Sequence, residues 1–516
     1  MFGHYESVWT LSVCTPQTPF VTEFVNNQCF LSLSRSLSTA LLVAEIVCAR
    51  QDETLKAKLL STTFFMSGLC TFLQNTIVCN IAILLKRRHA SDFNYTVERT
   101  RLPLYQGPAM TYVIPLLAMS TLKEWQCPDV ADEGMFMDIS NTTNSSTGSP
   151  VQSELEHDPL VLYKLQQFTG SLMIAGIIHM LIGMTGIVGY LVRFIGPVTV
   201  VPALTAVSLY SFRATVKFAQ AQWGVAYLTA GTTIVLSLYL RKFSTPIPMW
   251  TYSKGFYIKR TPFHKVFSVL IGAILGWVIS VILTEAGAFS ADTASKEFYA
   301  RTDSRTHVID MTRWFTFPYP GQFGAPAFSS GAFITFLFGT ITSVLDSIGD
   351  YYACAKICSL PSPPAHSMNR GIAVEGFSSF LAGSAGAGHA TSTFGGNIGA
   401  IGITKVASLR VFQVLGLLYM IFGVIGKVGA VCVTIPYSVV GGMQMINFGV
   451  LCGVMISNIQ YTDMKSTRNH VIIGCSLFIG LMMPYWMRSN PDALDTGTRS
   501  VIFTTAIIMT GSNRFT

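Results

Sequence analysis

Apolar residues gather in runs long enough to cross a bilayer, separated by short polar connectors, and the alternation repeats almost to the end of the chain. A spanning helix needs about 20 mostly apolar residues. The clearest runs cover residues 59–85, 168–190, 223–240, 266–284, 327–348, 412–436, 439–456 and 470–486, with weaker ones at 39–48, 102–119, 194–210, 371–388 and 397–406. A last run, at 501–511, is too short to span. The pattern predicts an all-α polytopic membrane protein of about 12–14 transmembrane elements.

Composition agrees. Only 12% of the 516 residues are charged, against about 25% in soluble proteins. Half are hydrophobic and the mean hydropathy is +0.47, so too little polar surface exists to coat a water-facing fold. A soluble enzyme, a secreted disulfide scaffold and a disordered tail are excluded as overall descriptions. Residues 1–38 lack the continuous apolar stretch of a signal peptide and read as an atypical N-terminal segment. The eleven Cys are scattered, most inside apolar runs where Cys acts as a small hydrophobe. Cys354 and Cys358, four apart, have no further ligands at metal spacing.

The net charge of +8 comes in short clusters between apolar runs and reads as topology, not nucleic-acid binding. Segment 241–265 carries Arg241, Lys242, Lys254, Lys259, Arg260 and Lys265 with no acid, which predicts a cytoplasmic loop. Segment 123–164 carries eight acids against Lys123 and Lys164, with glycosylation sequons at Asn141 and Asn144, which predicts an external, glycosylated loop. Residues 285–326 form a second external loop in this count, and the N-terminus is cytoplasmic.

Two runs are poor straight helices. One holds Pro103, Gly107, Pro108 and Pro115; the other holds Gly386, Gly388, Gly395, Gly396, Gly399 and Gly402. Broken backbone at membrane depth is tolerated only beside a cavity or inside protein, and a matched pair of breaks, one per half of the chain, points to a transporter's binding site. Asp346 and Asp350 lie four residues apart, on one helical face with Ser343 and Ser347, at the inner end of the 327–348 run. A carboxylate there is costly unless it pairs, lines water or meets substrate. Asp346 is therefore the first functional candidate, with Glu375 and Lys405 behind it. His179 and His389 read as packed or hydrogen-bonded helix residues.

The stretch Asn397-Ile-Gly-Ala-Ile-Gly-Ile-Thr404-Lys405 resembles the signature of the nucleobase-ascorbate transporter family (nucleobase:cation symporter-2). Ser343-Val-Leu-Asp-Ser-Ile-Gly-Asp-Tyr-Tyr-Ala-Cys-Ala-Lys356, Phe317-Pro-Tyr-Pro320 and Ser466-Thr-Arg-Asn469 are similar to its animal sodium-dependent vitamin C transporter branch. The resemblance implies two inverted seven-element repeats, a core domain and a gate domain, and short strands in the third and tenth elements. The first repeat is then residues 39–284, the second 327–511 with its last element truncated, and 512–516 a tail. It implies substrate contacts at Met110, Asp346, Gly395, Gly396 and Asn397, ion coupling at Asp350, and signature roles for Asn397, Gly399, Thr404 and Lys405.

The implied function is sodium-coupled symport of L-ascorbate or a related small organic anion by alternating access, in a homodimer at the plasma membrane. Sodium is the coupling ion, and no cofactor or enzymatic step is expected. The alternative within transport is a uracil or xanthine symporter; those outside it are a channel-like anion conductor or an inert truncated subunit. The chain departs from the family at Gly396, which offers no side chain to read a base edge. Residues 80–100 read as an insertion, and the first element lacks the family's Gln-rich start.

Overall fold

The computed structural model describes residues 18–49, 52–86, 102–112, 116, 119, 125, 127, 158–191, 197–243, 245–251, 255–261, 264, 267–292, 295–404, 407–461 and 463–489. In chain order the elements are α1 (Thr18–Ile46), α2 (Glu53–Lys86), β1 (Gln106–Pro108), α3 (Pro159–Met184), α4 (Pro197–Tyr210), α5 (Phe212–Ala219) and α6 (Trp223–Leu238). There follow β2 (Thr245–Thr251), β3 (Gly255–Thr261), α7 (Ser268–Glu285), α8 (Ser330–Ile357), α9 (Ala365–Ser384), β4 (Thr391–Thr393) and α10 (Gly395–Thr404). α11 (Leu409–Val424), α12 (Gly426–Val433), α13 (Tyr437–Ser457) and α14 (Thr467–Ser489) complete it.

Among the described residues, α3, α7 and α8 are each long and apolar enough to cross a bilayer, and α12 with α13, bent by 91°, passes as a fourth. α6 and α11 are shorter apolar helices. The outward faces are oily: Ile177 and Leu181 of α3, Leu238 of α6, and Ile274, Val278 and Ile282 of α7 are exposed. Such a surface is at home in lipid. The helices pack in two sets. α3 lies against α8 and α9, and α2 against α1, α9, α11 and α12; separately, α6 lies against α7 and α13, and α14 against α4.

The α3–α9 crossing rests on glycine. A Cβ on Gly176 would stand 2.6 Å from the Phe380 amide nitrogen, so only a residue without one lets the backbones meet. We expect Gly176→Val to cost about 1–3 kcal/mol through overpacking, read as a lowered melting temperature in detergent. An unchanged melting curve would show that the crossing relaxes freely.

Several expectations change here. The boundary at 38/39 falls inside α1, a single helix from Thr18, so the N-terminal segment and the weak 39–48 run are one element. The 327–348 run extends to Ile357, which places Asp346 and Asp350 well inside α8 and not at its inner end. Of the stretch read as an insertion, residues 80–86 prolong α2, and 87–100 lie outside the described residues, as do Asn141, Asn144 and the chain beyond Ser489. The basic segment 241–265 contains a β2–β3 hairpin, in register from Thr245↔Thr261 to Thr251↔Gly255. Cys48 and Cys127 form a disulfide, a pairing that a separation of 79 residues does not advertise.

Candidate functional site

The two chain breaks meet. β1 pairs antiparallel with β4, Gln106 opposite Thr393 and Pro108 opposite Thr391. Ala109 N donates to Ala390 O at 3.0 Å and Phe394 N to Tyr105 O at 3.1 Å, extending the ladder at both ends. A two-stranded sheet inside a membrane protein has two unpaired edges that must be satisfied within the protein. Side chains do this. On the β1 edge, Asn75 Nδ2 donates to Leu104 O (2.7 Å), Asn75 Oδ1 accepts from Leu104 N (3.2 Å), and Thr71 Oγ1 accepts from Gln106 N (3.0 Å). On the β4 edge, Ser379 Oγ accepts from Thr391 N at 3.1 Å. Gly386 and Gly388, with φ of +70° and +72°, turn the chain out of α9 toward β4 in a conformation that L side chains rarely adopt.

Glu375 of α9 is the hub of this junction. Its carboxylate accepts from Ser347 Oγ (2.6 Å) and Tyr351 OH (2.6 Å) of α8, from Thr393 Oγ1 (2.7 Å) of β4 and from Gln106 Nε2 (3.2 Å) of β1. Four donors from three elements converge on one fully buried acid. This residue is a structural clamp with its acceptors in use.

Asp346 and Asp350 are different. Asp346 is half-buried and makes no hydrogen bond among the described residues, whereas Asp350 is 4% exposed with Oδ2 unpartnered. Ser343 Oγ is also buried without a hydrogen-bond partner among the described residues. Gly395, the first residue of α10, abuts this face: a Cβ there would lie 2.8 Å from Asp350 Oδ1. The structure therefore brings Asp346, Asp350, Gly395 and Gly396 to one place, beside the strand junction. Met110 follows β1 in a one-turn 3-10 helix, and its side chain lies outside the described set.

Of the signature residues, Asn397 is fully buried and faces inward from α10. Its Nδ2 donates to Gln28 Oε1 at 2.6 Å and to Gln28 O at 3.3 Å, tying α10 to α1. Among the described residues nothing stands within 4 Å of where a Cβ on Gly399 would lie. Thr404 ends α10 with its side chain outside the described residues, and Lys405 lies outside them altogether. His389 is bonded as expected, Nε2 meeting Thr63 Oγ1 at 3.1 Å, while neither ring nitrogen of buried His179 has a partner among the described residues.

Sequence reasoning missed α1. Gln28 and Arg35 both project from it into the site, and Arg35 sits with its guanidinium carbon 4.3 Å from the Phe394 ring centroid. The available signal was a lone basic residue, with no other charge between Glu23 and Glu45.

The arrangement is two strand-broken elements facing an acidic helix. Among the described residues no group of three or more His, Cys, Asp or Glu is placed to hold a metal. What it offers is a set of polar groups buried inside an apolar protein. The chain matches the model of the Permease family (Xan_ur_permease) over residues 32–489. It is 33% identical over 500 residues to human solute carrier family 23 member 2, covering 95% of this chain and 71% of that protein. It is 28% identical over 443 residues to nucleobase-ascorbate transporter 1 of Arabidopsis thaliana, covering 86% of this chain and 74% of that one. Among solved structures, the transmembrane domain of a cyanobacterium bicarbonate transporter, BicA, is similar with a TM-score of 0.48 at 12% identity, over 95% of this chain and 97% of that chain. With the family model spanning most of the sequence and a one-third-identical relative matched over 95% of this chain, the chain belongs to the nucleobase-ascorbate transporter family of multi-pass membrane transporters, on its solute carrier family 23 branch.

Proposed function

We propose that the chain is a sodium-coupled symporter of L-ascorbate or a related small organic anion, working by alternating access. The observation that carries the reading is the union of the two breaks, β1 against β4, over the Asp346–Asp350 face of α8. Asp346, with no hydrogen bond among the described residues, is the group left to accept hydrogen bonds from substrate hydroxyls. Asp350 Oδ2 and Ser343 Oγ, both buried and without a hydrogen-bond partner among the described residues, are oxygen donors suited to a sodium ion, whose charge would offset the carboxylate. Glu375 holds the strands and α8 in register and takes no direct part.

The two packing sets serve as the core and gate of two inverted seven-element repeats. α1, α2, α3, α8, α9, α10 and α11 carry the chamber; α4 to α7, α13 and α14 form the wall against which it moves. Contacts between the sets must break in each cycle. Lys217 of α5 pairs with Glu45 of α1, and Lys56 Nζ of α2 donates to Tyr437 OH of α13 at 3.3 Å. Both cluster near the Cys48–Cys127 end, and a disulfide forms only in an oxidising compartment, which supports an external position for that end. The N-terminus is then cytoplasmic, and the protein works as a homodimer at the plasma membrane.

Gly396 presents no hydrogen-bonding side chain, which favours ascorbate over a nucleobase. The test is uptake of labelled ascorbate into cells producing the chain, with sodium or with an impermeant organic cation, and with excess unlabelled uracil. Uptake that needs sodium and resists uracil is expected. Inhibition by uracil points to the nucleobase alternative, flux without sodium dependence points to a channel, and no flux points to an inert subunit.

A further inference from the structure

Arg35 is 2% exposed, yet its Nε and Nη2 find no hydrogen-bond partner among the described residues. It lies in electrostatic reach of Asp346, Tyr105 and Asp350 but forms no ion pair with either carboxylate among the described residues. A buried cation without a partner is among the most expensive things a fold can hold. It persists where something else supplies the partner.

The placement says what that partner is. The guanidinium carbon stands 4.3 Å from the Phe394 ring centroid, and Phe394 in turn packs edge-on to Tyr105 at 6.4 Å. Both aromatic residues flank the β1–β4 ladder, and Gly395 and Gly396 follow directly. A guanidinium resting on a ring keeps its N–H edge free, and that edge matches two adjacent oxygens of a planar anion. Asp346, half-buried, without a hydrogen bond among the described residues and within electrostatic reach of Arg35, complements it as an acceptor. The ligand that satisfies both is a small planar anion bearing hydroxyl donors as well as its charge.

We infer that Arg35 is a specificity-determining residue of the substrate chamber, binding the negative charge of a hydroxylated planar anion through its free N–H edge while Asp346 accepts from the anion's hydroxyl groups. This rests on the carrier reading above and adds to it the group that separates anionic from neutral substrates. Neutral bases such as uracil carry no charge to offset the guanidinium and are poor ligands.

The test is ligand-induced thermal stabilisation of the purified full-length protein, for wild type, Arg35→Gln and Arg35→Lys, with sodium ascorbate, sodium urate, uracil and a matched sodium chloride control. Wild type is expected to be stabilised by ascorbate and not by uracil. Arg35→Gln removes a buried charge whose Nε and Nη2 have no hydrogen-bond partner among the described residues, at the cost of the Phe394 ring contact, so it should melt within a few degrees of wild type without ligand, and should bind ascorbate about 100-fold more weakly, the equivalent of losing two charge-assisted hydrogen bonds. Arg35→Lys, which keeps the charge and loses the fork, should fall between them, and it serves as the comparison if Arg35→Gln does not accumulate. Equal ascorbate affinity in wild type and the variants overturns the assignment, as does the absence of stabilisation of wild type by either anion. If urate stabilises wild type through Arg35 while ascorbate does not, the ascorbate reading fails and the role of Arg35 stands.

Discussion

Asp346→Asn is expected to abolish substrate uptake, by about 100-fold or more, while the protein still reaches the cell surface in normal amount. The asymmetry follows from what the carboxylate touches. Asp346 makes no hydrogen bond among the described residues, so replacing it with a neutral isostere breaks none there and gives up only its electrostatic attraction to Arg35. It also removes the cost of keeping a charge at membrane depth, a few kcal/mol by insertion scales. Stability should therefore be unchanged or improved. The loss falls on binding, because a carboxylate accepts two strong bonds from substrate hydroxyls where an amide offers one acceptor and an opposing donor. Radiolabelled uptake together with surface biotinylation separates the two effects. Full uptake in this variant would remove Asp346 from the mechanism.

Glu375→Gln should do the reverse, damaging the fold first and transport as a consequence. The four donors that converge on Glu375 belong to α8, β1 and β4. A glutamine has one acceptor oxygen, and its NH2 group would face hydroxyls that already donate. At about 1.5–3 kcal/mol for a hydrogen bond to a charged group, losing two of the four costs on the order of 3–6 kcal/mol. We expect a melting temperature in detergent lowered by several degrees, reduced surface expression, and uptake falling at least in proportion. Normal stability with lost uptake would instead move Glu375 from the frame of the site to its working face.

The contrast between these acids marks how far the sequence can be read. Both breaks were legible because Pro and Gly act locally, whatever surrounds them: Pro103 and Pro108 remove donors, and Gly386 and Gly388 take up positive φ. Asp346 stood out as a charge in an apolar run. What separates a clamp from a binding group is the set of partners, and those come from residues up to 269 positions away, as with Gln106 and Glu375.

α1 was hidden for another reason. Its polar residues dilute the apolar signal, but the hydroxyls fold back onto their own helix: Ser32 to Gln28 O (2.9 Å), Ser36 to Ser32 O (3.2 Å), Ser38 to Ser34 O (2.6 Å) and Thr39 to Arg35 O (3.0 Å). A serine satisfied in this way costs little in a buried helix. A hydropathy sum charges it in full, and Arg35 and Gln28 went unread with the segment. The β2–β3 hairpin was likewise masked by its basic residues, which spoke only of sidedness.

The β1–β4 ladder also fixes when the site comes into being. Gln106 and its partner Thr393 are separated by most of the polypeptide, so nothing emerging early from the ribosome can complete the chamber. Until the later half is threaded into the bilayer, β1 presents bare backbone, and Asn75 and Thr71 cover only one of its edges. The nascent first half must therefore wait for its match, and a chain cut anywhere before residue 391 would lack β4 and keep that edge unmatched.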